Sequence, residues 1–139
     1  MIVLDTNVIS AFMRPTPDQP VVRWLDNQPA PSIWTTAITV FELLAGIEMA
    51  PEGRRRTALR GSFERALADV IEGRVLVFDT AAAEAAAALA GQRRRTGMPN
   101  ELRDAMIAGI VTAHRATLAT RNIRHFADLS VPVIDPWAA

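Results

Sequence analysis

The chain has 139 residues, half of them apolar, and its formal charges cancel. That length and apolar share suit one domain with a buried core and exclude a disordered chain, while zero net charge excludes a protein that coats nucleic acid non-specifically. Cysteine, lysine and tyrosine are absent, which excludes disulfides, thiolate chemistry, a P-loop lysine and a Schiff-base lysine.

Met1 to Leu4 is a short apolar run ending at Asp5, and it reads as a strand buried on both faces. Thr6 or Asn7 then caps a short helix running to about Met13, and Pro15 and Pro17 end it. A second helix is expected from about Pro20 to Asn27, with proline near its start, where it is tolerated. After a loop at Pro29 and Pro31, Ile33 to Thr35 forms a short strand and Ala37 to Ala50 a helix. Leu59, Phe63, Leu67, Val70 and Ile71 recur at helical spacing between Glu52 and Glu72, and Gly73 stops that helix. Val75 to Phe78 is the next strand, and Asp79 or Thr80 caps an alanine-rich helix running to about Thr96. A turn at Gly97, Pro99 and Asn100 leads into a helix from Glu101 to His114 with one broad apolar face. Thr117 to Thr120 and Val131 to Ile134 close the series as strands.

Strands alternating with helices predict an α/β fold, a mainly parallel sheet covered on both faces. No repeat, linker or composition break divides residues 1–139, so a single domain is expected. No apolar run approaches a membrane span and no basic segment precedes an apolar one, so the expected compartment is the cytoplasm, with no membrane partner. In parallel sheets ligands bind beyond the carboxyl ends of the strands. That rule selects Asp5, Thr6 and Asn7 after the first strand, and Arg121 with Asn122 after the strand at Thr117–Thr120.

Three carboxylates stand out. Asp5 ends an apolar strand, Glu42 interrupts the apolar stretch from Ala37 to Ile47, and Asp104 lies in the first turn of a helix. Carboxylates crowded in one pocket repel one another and stay ionised only beside a cation. Mg²⁺ suits an oxygen-only set, because it uses few carboxylates and takes water and phosphate oxygens as further ligands. Each residue also has a structural reading. Asp5-Thr6-Asn7 can be a helix cap, Thr39-Val40-Phe41-Glu42 fits a capping box, Asp104 and Glu101 can both offset a helix dipole, and Asn122 can be a turn residue. Glu101 reads as a dipole and surface residue. His114 ends a helix; His125 follows the Asn122 loop, which puts it near the expected site, although a lone loop histidine is more often just exposed, and neither receives a catalytic role. The clusters Arg54-Arg55-Arg56 with Arg60 and Arg93-Arg94-Arg95 read as solvated helix faces, whereas Arg121 and Arg124, beside the predicted site, are candidates for RNA phosphate contacts.

The segments "MIVLDTNVIS", "TVFELLAG", "RDAMIAGI", "LATRNIRHF" and "VPVIDPW" occur in this order over nearly the whole chain. Together they resemble a PIN domain of the VapC/FitB-like group of toxin ribonucleases. The resemblance implies a three-layer α/β/α sandwich and a Mg²⁺-dependent endoribonuclease, with Mn²⁺ as a substitute. It implies Asp5 and Asp104 as the metal ligands, Glu42 as a further acid of the pocket, and Thr6, Asn7 and Thr120 as its polar shell. Many relatives carry a fourth acid where this chain has Asn122. An amide adds no negative charge, so one protein-held Mg²⁺ is expected, with any second ion recruited by the substrate phosphate. The implied partners are an RNA substrate and a cognate antitoxin. The implied assembly is a homodimer that forms a heterotetramer or larger complex with the antitoxin, and operator DNA is reached only through the antitoxin.

Two rival functions fit the same fold. A phosphoacceptor signalling domain also places acids at strand ends, but it normally needs a lysine beside the phosphorylated aspartate, and this chain has none. A non-catalytic partner of an antitoxin would use the pocket only as a dock. Mg²⁺ binding discriminates between that reading and the nuclease.

Overall fold

A computed structural model describes all residues from Met1 to Ala139. Its five strands are β1 (Ile2–Leu4), β2 (Ile33–Thr36), β3 (Val75–Leu76), β4 (Thr117–Ala119) and β5 (Val133–Ile134), in the sheet order β3-β2-β1-β4-β5. Every pairing is parallel. The helices are α1 (Thr6–Met13), α2 (Gln19–Asp26), α3 (Ala37–Met49), α4 (Arg54–Arg65), α5 (Thr80–Thr96) and α6 (Leu102–Ala113). No helix is long and apolar enough to cross a membrane.

The strand alternation sorts the helices into two layers. Leu4, Ile33 and Ala119 face one core with Val8, Ile9, Leu43, Ile47 and Phe63, which come from α1, α3 and α4. Val3, Leu118 and Leu76 face the opposite core with Ala82, Ile107, Ile110 and Val111, from α5 and α6. The result is the expected α/β/α sandwich. Burying each large aliphatic side chain contributes about 1.5–3 kcal/mol, so the fully buried Val3 and Leu4 fix β1 firmly just before Asp5.

Several expected boundaries shift. The cap of α1 is Asp5, whose carboxylate accepts from the Thr6 amide, so neither Thr6 nor Asn7 is the cap residue. The cap of α3 is Thr36, whose hydroxyl accepts from the Thr39 amide. The capping-box reading of Thr39 and Glu42 therefore fails, because β2 runs directly into the helix one turn earlier. Strands β3 and β5 are two residues each, and the helix expected over Glu52–Glu72 is α4 followed by a π-helical segment, Ala66–Ile71. Asp79 caps α5 as expected.

Gly109 explains how α6 lies so close to α5. A Cβ built there would stand 2.4 Å from the Ala82 carbonyl oxygen and 2.6 Å from the Ala86 Cβ. Only glycine on one helix and alanines on the other permit that approach. The same contact sets the position of α6 over the sheet, and with it the position of Asp104.

Candidate active site

The sheet order reverses at β1, whose neighbours β2 and β4 lead to opposite edges. Ligand sites of parallel sheets form at such a switch point. Here Leu4 pairs with Ala119, so the next residues, Asp5 and Thr120, leave the sheet side by side. The Asp5 amide still donates to the Ala119 carbonyl at 2.9 Å.

Asp5 is 5% exposed and its carboxylate is held from several directions. The Thr6 amide donates to Oδ1 at 2.8 Å, the Thr120 hydroxyl to Oδ2 at 2.7 Å, and the Asn7 side-chain amide to Oδ2 at 3.3 Å. The Thr120 hydroxyl also accepts from Asn7 Nδ2 at 3.3 Å and from the Asn122 backbone amide at 3.0 Å. One donated and two accepted bonds use the full capacity of a hydroxyl. Asn7 Oδ1 in turn accepts from the Arg121 amide at 3.1 Å. The sequence-predicted polar residues Thr6, Asn7 and Thr120 are thus all in place around Asp5.

Glu42 reaches the same cleft from α3. The Thr6 hydroxyl donates to its Oε1 at 3.1 Å, and Arg103 approaches its Oε2 at 3.6 Å. Asp104 enters from α6, with its Oδ2 at 3.0 Å from His125 Nδ1. Asp5, Glu42, Asp104 and Asn122 line one cleft of about 380 Å³, together with His125 and Ser10.

Burial pushes the Asp5 carboxyl above its ordinary range, against the pull of the Thr120 and Thr6 hydrogen bonds, and the charge of Asp104 adds to the rise. Burial also raises Glu42. The Thr6 hydrogen bond and Arg103 oppose the change, and the charges of Asp5 and Asp104 reinforce it. The acids therefore sense one another, and a cation between them would relieve both desolvation and repulsion. No three acidic or histidine side chains stand close enough to share one ion, however. Glu42 is turned to Thr6 and Arg103, and Asp104 to His125. Mg²⁺ takes few protein carboxylates and fills its other positions with water and phosphate, and the oxygen donors that line this cleft are of the kind it accepts.

Other sequence readings fare unevenly. Arg121 does not line the cleft, because its guanidinium stacks over Trp137 at 4.6 Å from the ring centroid. Arg124 lies with it in a neighbouring depression that Asp135 also lines. Glu101 precedes α6 at the cleft rim without capping it by its side chain, and pairs with Arg103 at 3.4 Å. Arg94 and Arg95 are exposed, as the solvated-face reading expects, but Arg93 departs from it: it is 1% exposed and gripped by Asp128. Arg56 and Arg60 both pair with Glu48 at the surface, as that reading expects. Sequence reasoning missed Arg103 and left His125 without a role, although both touch acids of the cleft. A second groove of about 590 Å³ adjoins the cleft at Thr6, Ser10 and Glu42 and is walled by Leu43, Ile47 and Leu59.

A family model described as PIN domain matches residues 2–131. Plasmid stability protein StbB of Pseudomonas syringae pv. tomato is 41% identical over 139 residues, covering 100% of both chains. The VapC ribonuclease Y4jK of Sinorhizobium fredii is 38% identical over 99% of this chain and 98% of its own. Toxin FitB of Neisseria gonorrhoeae is 35% identical over 99% of each. Among solved structures, FitAcB from Neisseria gonorrhoeae superposes with a TM-score of 0.89 at 34% identity, covering 100% of both chains. FitAB bound to a DNA fragment gives 0.88 at 34% identity, covering 99% of this chain and 96% of the other.

Proposed function

The chain belongs to the PIN domain family, and from that premise we propose that it is a Mg²⁺-dependent endoribonuclease, the toxin half of a toxin–antitoxin pair. The observation that carries this reading is the convergence of Asp5, Glu42 and Asp104 on one polar cleft at the switch point of the sheet. The names of the relatives, a VapC ribonuclease and a FitB toxin, support the substrate class and the biology.

In this reading Asp5 and Asp104 would hold the ion, with Mn²⁺ as a substitute for Mg²⁺. When bound, the ion supplies positive charge that lowers the pKa of water and offsets charge growing on the phosphodiester. Thr6, Asn7 and Thr120 keep the Asp5 carboxylate in one orientation, so little reorganisation is needed when substrate arrives. Glu42, steadied by Thr6, and Asn122 orient the attacking water. Arg121 and Arg124, outside the cleft, take phosphates flanking the scissile one. The RNA is selected by shape and a few phosphate contacts, in keeping with zero net charge.

The proposed partners are a cognate antitoxin and a second copy of the chain, in a heterotetramer or larger assembly. The apolar groove beside the cleft supports an antitoxin segment as its occupant, and the DNA-bound FitAB structure supports operator contact through the antitoxin. The proposed RNA cleavage supports the cytoplasm as the compartment in which the protein works. The test uses purified wild type, Asp5→Asn and Asp104→Asn with RNA and Mg²⁺. Both variants lose cleavage while remaining folded, and chelation abolishes wild-type cleavage. Undiminished cleavage by the variants would discard the mechanism.

A further inference from the structure

Arg93 is fully buried, and a guanidinium is tolerated there only when its donors are met. Its Nε donates to Asp128 Oδ2 at 2.9 Å and one terminal nitrogen to Asp128 Oδ1 at 3.0 Å. The same nitrogen donates to the His125 carbonyl at 2.7 Å. A side chain of α5 thus grips the short 3₁₀ turn Ile123–Phe126 that follows β4. The buried Phe126 anchors the turn a second time.

His125 is half exposed at the cleft, yet its backbone is fixed by these contacts. Its Nδ1 lies 3.0 Å from Asp104 Oδ2. In the tautomer that carries its hydrogen on Nδ1, the ring donates to this carboxylate oxygen. Asp104 is equally constrained from the other side, because α6 is locked on α5 at Gly109. The χ2 torsion of an aspartate is soft, and this bond removes that freedom by tying Oδ2 and leaving Oδ1 for an ion.

We propose that His125 is a positioning residue, whose Nδ1–H fixes the orientation in which the Asp104 carboxylate receives a divalent cation. The proposal rests on the reading of Asp104 as a metal ligand. Groups that orient a ligand in this way change metal affinity by about 10–100-fold when removed.

The test is Mn²⁺ binding by calorimetry to the full chain as wild type, Asp104→Asn, His125→Ala and His125→Asn, with each fold checked by thermal melting. Asparagine sets an amide N–H near the place of Nδ1–H, whereas alanine offers nothing. His125→Ala binds Mn²⁺ at least about 10-fold more weakly with little change in melting, and His125→Asn recovers most of that loss. In the metal-free wild type, nitrogen–proton correlation spectra of the imidazole place a hydrogen on Nδ1. If His125→Ala binds as tightly as wild type, if asparagine gives no recovery, or if the hydrogen sits on Nε2 alone, the proposal is overturned. Loss of binding in Asp104→Asn then shows that the metal reading itself survives. Absence of Mn²⁺ binding by the wild type at millimolar metal overturns both.

Discussion

Gly109→Ala is the sharpest test of how the fold holds Asp104. In an exposed helix the change gains about 1 kcal/mol, because alanine loses less backbone entropy than glycine. Here the new Cβ would meet the Ala82 carbonyl oxygen at 2.4 Å, the Ala86 Cβ at 2.6 Å and the Ala86 amide nitrogen at 2.8 Å. Two of these three are backbone atoms of α5 and cannot rotate away. Overpacking of this kind costs about 1–3 kcal/mol, and the backbone contacts put it at the upper end. The net loss is about 2 kcal/mol, which lowers Tm by roughly 6–10 °C for a chain of this size. Ala86→Gly in the same background removes one of the contacts and leaves the carbonyl, so it restores only part of the loss. Thermal and urea unfolding of the three proteins measure this, and Mn²⁺ affinity falls alongside because α6 must shift with Asp104. An unchanged or raised Tm for Gly109→Ala would refute the close-approach argument.

Other consequences are equally open to measurement. Mg²⁺ or Mn²⁺ raises the melting temperature of the wild type, by about 2.7 kcal/mol of stability at a hundred times the Kd, and Asp104→Asn abolishes the rise. Thr120→Val keeps the shape but removes the hydroxyl shared by Asp5, Asn7 and Asn122; urea unfolding shows a loss of about 1–3 kcal/mol, and Thr120→Ser retains most of the stability. The raised carboxyls of Asp5 and Glu42 hold protons in the folded chain at pH values where an unfolded chain has released them. Their contribution is therefore fully present below the ordinary carboxylate values and declines as pH rises through the raised ones. Glu42→Gln shallows this decline in metal-free denaturation midpoints, and an equal slope in both proteins would contradict the assignment.

Much of the site was legible because its signals break a pattern. Asp5 ends an apolar run, and the parallel alternation of elements places that run's carboxyl end at the ligand edge. Asp79 and Gly73 punctuate elements through local backbone chemistry, which sequence carries directly. Glu42 was ambiguous because it stands at capping-box spacing from Thr39, and only the length of β2 makes Thr36 the cap instead. Arg93 was misread because three consecutive arginines look alike in sequence, although each turns about 100° from the last on a helix. The spacing of Ala82, Ala86, Leu89 and Arg93 marks one inward stripe and could have singled it out. Arg103 carried no such signal, and the place of His125 after the Asn122 loop pointed to the site without giving it a role. Their contacts with Asp104 and Glu42 depend on where a loop and a helix meet, which only tertiary packing fixes. The same holds for Arg121, which turns away to Trp137 at the end of the chain.

The most direct test is a crystal structure of the chain grown with Mn²⁺, read by anomalous scattering. A single strong peak between Asp5 and Asp104, bonded to one oxygen of each and with Glu42 outside its inner ring of ligands, is the predicted result. A cleft without an ion, or an ion held elsewhere while RNA is still cut, would contradict the assignment of these two carboxylates.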